Sequence, residues 1–151
     1  MFPSSVPDPA VSWLTSAVFG SEQIHASMVM LLAENASIAH AHLIRRAIAS
    51  FVELPAVCGE PYQLVLGAHE LIANAILHGS APIELAIAST ETVSVVAVRD
   101  SHPSLPSVHG EAHHGLWILS QMTAGAVMVL PIDTGGKWIG ATLRPAPSCP
   151  N

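Results

Sequence analysis

Apolar residues recur at helical spacing in some stretches of this chain and alternate with polar ones in others, and the two periods divide it into elements. "VSWLTSAVF", Val11 to Phe19, predicts a short helix ending at Gly20, and "HASMVMLLA", His25 to Ala33, predicts a strand. A helix follows, capped by Asn35 or Ser37 and running to about Glu53. Ile38, Ala41, Ile48 and Phe51 form its apolar side, with Arg45 and Arg46 turned to solvent or a partner. The next helix is bounded by Pro61, which suits a first turn where its missing N–H is no loss, and by Gly79, which suits the position past a helix end. "IELAIAS" then alternates, with Ile83, Leu85 and Ile87 on one side, and "VSVVAVRD" runs as its antiparallel partner. Residues 101 to 114, "SHPSLPSVHGEAHH", contain two prolines and no period and predict a long loop. "LWILSQMTAG" predicts a helix ending at Gly125, and "AVMVLPI" and "KWIGATLR" predict strands joined by the turn "DTGG". The order β, α, α, β, β, loop, α, β, β predicts an α+β, two-layer sandwich: a mixed, mostly antiparallel sheet with helices on one face.

Composition narrows the picture. The chain has 151 residues, the size of one domain, and half of them are hydrophobic. Only 11% are charged, which suggests apolar surface covered by a partner or a second copy. A net charge of −6 with five Lys and Arg argues against direct nucleic-acid binding, which needs clustered cations. Cys58 and Cys149 lie far apart and fit a reduced, cytoplasmic protein. The N-terminus lacks the cationic and apolar regions of a signal peptide. The longest uncharged run, Gly115 to Ile132, is interrupted by Ser120, Gln121, Thr123, Gly125 and Pro131, and reads as helix, turn and strand, with no membrane span. The expected organisation is an arm over residues 1–24, including the short helix, a domain over 25–145 and a tail over 146–151.

The stretch "LVLGAHELIANAILHG" carries the chemistry. Successive helix positions differ in direction by about 100°, so Glu70, Asn74 and His78 fall within an arc of about 80°. Gly67 shares that arc and adds no side chain, while Leu64, Leu71, Ile72, Ala75 and Ile76 occupy much of the remainder. A polar groove on a mostly apolar helix needs compensation, because an unpartnered buried carboxylate costs several kcal/mol or takes up a proton. A cation with a polar ligand supplies it. Asn74 offers a hard carbonyl oxygen suited to Mg²⁺, an ion usually bound through substrate phosphates, and Glu70 beside it can act as a general base. The bland alternative is a polar seam on a surface helix.

These residues resemble a known family. "HELIANAILHG" is similar to the asparagine box of the GHKL (histidine-kinase-like) ATPase superfamily, and its Glu70, Asn74, Ala75, His78 and Gly79 resemble most closely the form found in bacterial anti-sigma factor serine/threonine kinases. "VVAVRDSHPSLP" resembles the family's strand ending in an adenine-reading aspartate, here Asp100; "HHGLWILSQM" resembles its second glycine box; "GGKWIGATL" resembles its closing strand. The order of these motifs agrees from about Met28 to Arg144. The resemblance implies a Bergerat-type ATP-binding fold, with ATP and Mg²⁺ as ligands. It implies Glu70 as catalytic base, Asn74 as the metal ligand, and Asn74, His78, Gly79, Asp100, His114, Gly115, Leu116 and Thr142 as nucleotide-binding residues, with residues 101–114 as a lid. The helix expected to open at Gly115 and Leu116 would offer free N–H groups to phosphate. The implied partners are a sigma factor and a phosphorylatable antagonist protein, with a homodimer common.

Departures keep two alternatives open: a degenerate, non-catalytic interaction module of the same fold, and a small Mg²⁺-dependent ATPase. His113 stands where the second box usually has glycine; Ser101, His102 and Pro103 follow the aspartate; Thr142 lies further along than the usual hydroxyl; cations are few. His109, His113 and His114 raise zinc, but the run is loop-like and lacks H-E-x-x-H. His69 points about 100° from Glu70 and reads as a surface or core-edge residue. Ser120 lacks a nucleophile-elbow sequence. Trp13, Trp117 and Trp138 read as packing residues.

Overall fold

The computed structural model describes residues 26–32, 41–52, 61–90, 94–102, 127–132 and 135–143. They form strand β1 (Ala26–Leu31), helices α1 (Ala41–Val52) and α2 (Pro61–His78), and strands β2 (Glu84–Ser89), β3 (Ser94–Asp100), β4 (Val127–Pro131) and β5 (Lys137–Leu143). The strands make one five-stranded sheet in the order β1-β2-β3-β5-β4. Every pairing among the described residues is antiparallel, in line with the expected mostly antiparallel sheet, and the α+β, two-layer class stands. The elements expected at residues 11–19 and 116–124, the cap at Asn35 or Ser37, the arm, the tail and most of the lid lie outside the described residues.

The helices form where the apolar period required. On α1, Ile44 and Ile48 are buried and Phe51 packs beside them, while Arg45 and Arg46 are exposed. On α2, Leu64, Ala68, Leu71, Ile72 and Ala75 face inward against Leu85, Ile87, Val96, Val98, Ile139 and Ala141 of the sheet. This apolar layer supplies the main driving force for assembly. It also fixes the rotation of α2, so the polar stripe falls at the edge of its buried face.

The opposite sheet face is buried as well. Ala86, Ala88, Val95, Ala97 and Trp138 form a second cluster with Val29, Leu130 and Ile132, to which no helix among the described residues contributes. Burial on both sides explains why "VVAV", Val95 to Val98, is a continuous apolar run with no polar-out alternation.

The β4–β5 connection brings β5 to the end of β3. Gly135 and Gly136 have φ of 96° and 86°, which favours glycine. Backbone bonds from Ile132 N to Gly136 O (3.2 Å) and Gly135 N to Ile132 O (3.0 Å) close the turn. At Gly136 a side chain would also collide with the Asp100 carbonyl oxygen. Gly136→Ala is therefore expected to lower the unfolding free energy by about 1–3 kcal/mol, read by urea denaturation; an unchanged midpoint would contradict the close approach.

Candidate functional site

The polar stripe on α2 is neither free in water nor in the core. Gly67 is buried, Glu70 is half-buried, Asn74 is 8% exposed and His78 is exposed at the helix end. Asn74 and His78 each engage a neighbouring group. His69 turns away from this stripe toward α1, where Arg45 Nη2 lies 3.4 Å from its Nδ1. It borders a shallow groove with Ile44, Ile48 and Ile72 and is not a partner of Glu70 in the sense of a catalytic pair.

Asp100 ends β3 and is 1% exposed. The ladder places it directly opposite Lys137, the first residue of β5. Lys137 Nζ donates to Asp100 Oδ1 at 2.9 Å and to the His102 carbonyl oxygen at 2.9 Å. The His102 backbone N–H donates to the same Oδ1 at 2.7 Å. Both side chains of the ion pair are buried, so this is a strong, charge-assisted contact that little water screens. Among the described residues no donor reaches Oδ2.

That second oxygen faces the end of α2. A Cβ placed on Gly79 would lie 2.8 Å from Asp100 Oδ2 and 2.7 Å from its Cγ. Glycine stands one residue past the helix, as the sequence suggested, but for a different reason: positive φ occurs at Gly135 and Gly136, not at Gly79. Close approach to Asp100 and to the Ala75 carbonyl oxygen is what excludes a side chain. Backbone bonds from Gly79 N to Ala75 O (2.9 Å) and Ser101 N to Ser80 O (2.8 Å) fasten the helix end to the strand end. The fold thus brings together the helix bearing Glu70, Asn74 and His78 and the strand-end carboxylate.

The remaining expected site residues divide. Thr142 pairs with Val95 at the other end of the β3–β5 ladder, five residues along from Lys137, a span of about 17 Å at strand rise. The structure does not bring Thr142 to Asp100. His114, Gly115 and Leu116 lie outside the described residues, as do His109 and His113. Lys137 was not foreseen. Its signal would have been the register of β5 against β3, which follows from tertiary pairing and leaves no local mark in "GGKW".

No protein-family model matches the chain, and no curated protein matches it. Among solved structures it is similar to the histidine kinase domain of a blue-light activated histidine kinase from Erythrobacter litoralis EL346, at 14% identity and a TM-score of 0.39, over 87% of this chain and 69% of that one. That likeness is too loose to assign a fold or an activity.

Chemically, the described site offers an acceptor oxygen on a pinned carboxylate, a buried amide and a half-buried carboxylate one helical turn before it. The acceptor fits an exocyclic amine. Asn74 and Glu70 suit a hard cation carried on phosphate. No group of three or more His, Cys, Asp or Glu that would hold a metal by itself occurs among the described residues. No helix among them is long and apolar enough to cross a membrane.

Proposed function

We propose that this chain binds ATP with Mg²⁺ and transfers the γ-phosphate to a serine or threonine hydroxyl of a partner protein. The observation that carries this is the placement of Asp100: its Oδ1 is held by Lys137 and His102, and its Oδ2 faces Gly79 at the end of the helix that bears Glu70 and Asn74. Asp100 accepts a hydrogen bond from the adenine amino group. Asn74 would contribute a carbonyl oxygen to the metal, and His78 and Gly79 border the same helix end. Bound Mg²⁺ would neutralise charge on the phosphates. Glu70 accepts the proton of the attacking hydroxyl as its oxygen bonds to the γ-phosphorus and the bond to the ADP oxygen breaks.

His114, Gly115 and Leu116 belong to the proposed phosphate side, and residues 101–114 to the proposed lid, by resemblance alone. On the same footing the ATP-binding unit spans residues 25–145, the setting is cytoplasmic, and the partners are a sigma factor and a phosphorylatable antagonist, with a second copy of the chain as dimer mate.

Glu70→Gln is expected to lower transfer from labelled ATP to a protein hydroxyl by at least about 100-fold while ATP affinity stays within about twofold, since only the proton acceptor is removed. Intact transfer by the variant would remove Glu70 from the role of base. Asn74→Ala is expected to weaken Mg²⁺·ATP binding by about tenfold or more and metal-free ATP binding much less, checked by calorimetry with and without Mg²⁺. Equal losses in both would dissociate Asn74 from the metal.

A second reading has one observation in its favour. The Lys137–Asp100 pair neutralises the strand-end carboxylate from within, as a module that no longer uses nucleotide would. Such a module binds no ATP, with or without metal.

A further inference from the structure

We infer that Lys137 is a positioning residue for nucleobase recognition: by holding Oδ1 of Asp100 it leaves Oδ2 as the acceptor that selects a 6-amino purine. The inference rests on the nucleotide reading above and adds a role in base selection to Lys137, which that reading uses only as a holder of Asp100.

The geometry supplies the reasons. A carboxylate at a strand end can turn about its last side-chain bond and exchange its oxygens. Here that exchange is blocked. Lys137 Nζ bridges Asp100 Oδ1 (2.9 Å) and the His102 carbonyl (2.9 Å), and the His102 N–H returns to Oδ1 (2.7 Å), so side chain, ammonium and loop backbone close on one another. The strand register places Lys137 directly across from Asp100, and the left-handed Gly136 just before it sits against the Asp100 backbone. Lys137 is 3% exposed, so its ammonium lies within the fold rather than in solvent. Oδ2 is then the oxygen left over, on the side where Gly79 has no Cβ to cover it.

A carboxylate paired with an ammonium offers only acceptor oxygens. An acceptor-only oxygen matches the 6-amino group of adenine. It opposes the 6-oxo group of hypoxanthine or guanine, where two acceptors would face each other. The pair Asp100–Lys137 therefore sets specificity at the 6-position, with Asp100 touching the base and Lys137 acting through it.

The test is a ligand–mutant cycle on the full chain with ATP and ITP, which differ at the 6-position, binding read by calorimetry in Mg²⁺. Wild type is expected to prefer ATP by about 10- to 100-fold, the worth of a hydrogen bond to a charged group. In Lys137→Met that ratio is expected to fall toward one, chiefly through loss of ATP affinity. A merely structural lysine would weaken both nucleotides alike and leave the ratio unchanged, and that outcome overturns the inference while sparing the nucleotide reading. Failure of wild type to bind either nucleotide overturns both. A crystal structure of the wild type with β,γ-imido-ATP decides the matter even if the variant does not fold. The 6-amino group on Oδ2 with Nζ still on Oδ1 supports the inference; Nζ withdrawn from Asp100 onto the ligand overturns it.

Discussion

Lys137→Met is expected to destabilise the fold by about 3–5 kcal/mol, the cost of leaving one member of a buried ion pair without its partner. Asp100 and Lys137 have side chains only 1% and 4% exposed, so water cannot take the place of the missing ammonium. The variant would retain one donor to Oδ1, the His102 N–H, against a full negative charge, and the His102 carbonyl would lose its Lys137 donor. Asp100→Asn with Lys137→Met removes both charges while leaving an acceptor for the His102 N–H. The double variant is therefore expected to recover most of the loss, and the cycle to show a coupling of about 3 kcal/mol or more. Urea denaturation of the four proteins measures it. Additive losses in the double variant would mean that the charges do not depend on each other.

Gly79→Ala is expected to reduce ATP affinity by about 100-fold or more, with a stability loss of about 1–3 kcal/mol from overpacking. The added Cβ would lie 2.7 Å from the Ala75 carbonyl oxygen and 2.7 Å from Asp100 Cγ. Neither neighbour yields easily. The Ala75 carbonyl is helix backbone and accepts the Gly79 N–H at 2.9 Å, while Asp100 is fastened through Oδ1 to Lys137 and His102. Relief must come from shifting the helix end or the carboxylate, and either change misplaces Oδ2. Calorimetry and denaturation on the same preparation read both effects. A stable variant that binds ATP within about twofold of wild type would show that Oδ2 does not face the nucleotide.

How far the sequence reveals this arrangement depends on whether a feature is local. The long helix was legible because Leu64, Ala68, Leu71, Ile72 and Ala75 repeat at helical spacing between Pro61 and Gly79, and the β2–β3 and β4–β5 hairpins were legible from alternation and from the Gly135–Gly136 turn. The unbroken apolar run Val95 to Val98 within β3 signals burial on both faces but not what each face meets. Site residues sharing one helix followed from the same period: Glu70 and Asn74 sit on a common edge because they are four apart. Contacts between elements were not legible. Lys137 begins a strand after a glycine turn, where a lysine ordinarily reaches solvent, and only the β3–β5 register turns it onto Asp100. The same register carries Thr142 to the far end of the ladder, although the resemblance of the closing strand implied a place for it at the site. Gly79 was placed correctly, but the restriction that demands glycine there comes partly from a strand some twenty residues on, as well as from the Ala75 carbonyl of the helix end.

The central claim is that the strand-end carboxylate and the polar edge of α2 are the two walls of one nucleotide site. Titration of ATP into the full chain, in Mg²⁺ and again in excess chelator, tests it most directly. Saturable binding at one nucleotide per chain, weakened when the metal is withdrawn, is the expected result. A titration with no binding in either condition would contradict it and leave Lys137 and Asp100 as a purely internal ion pair.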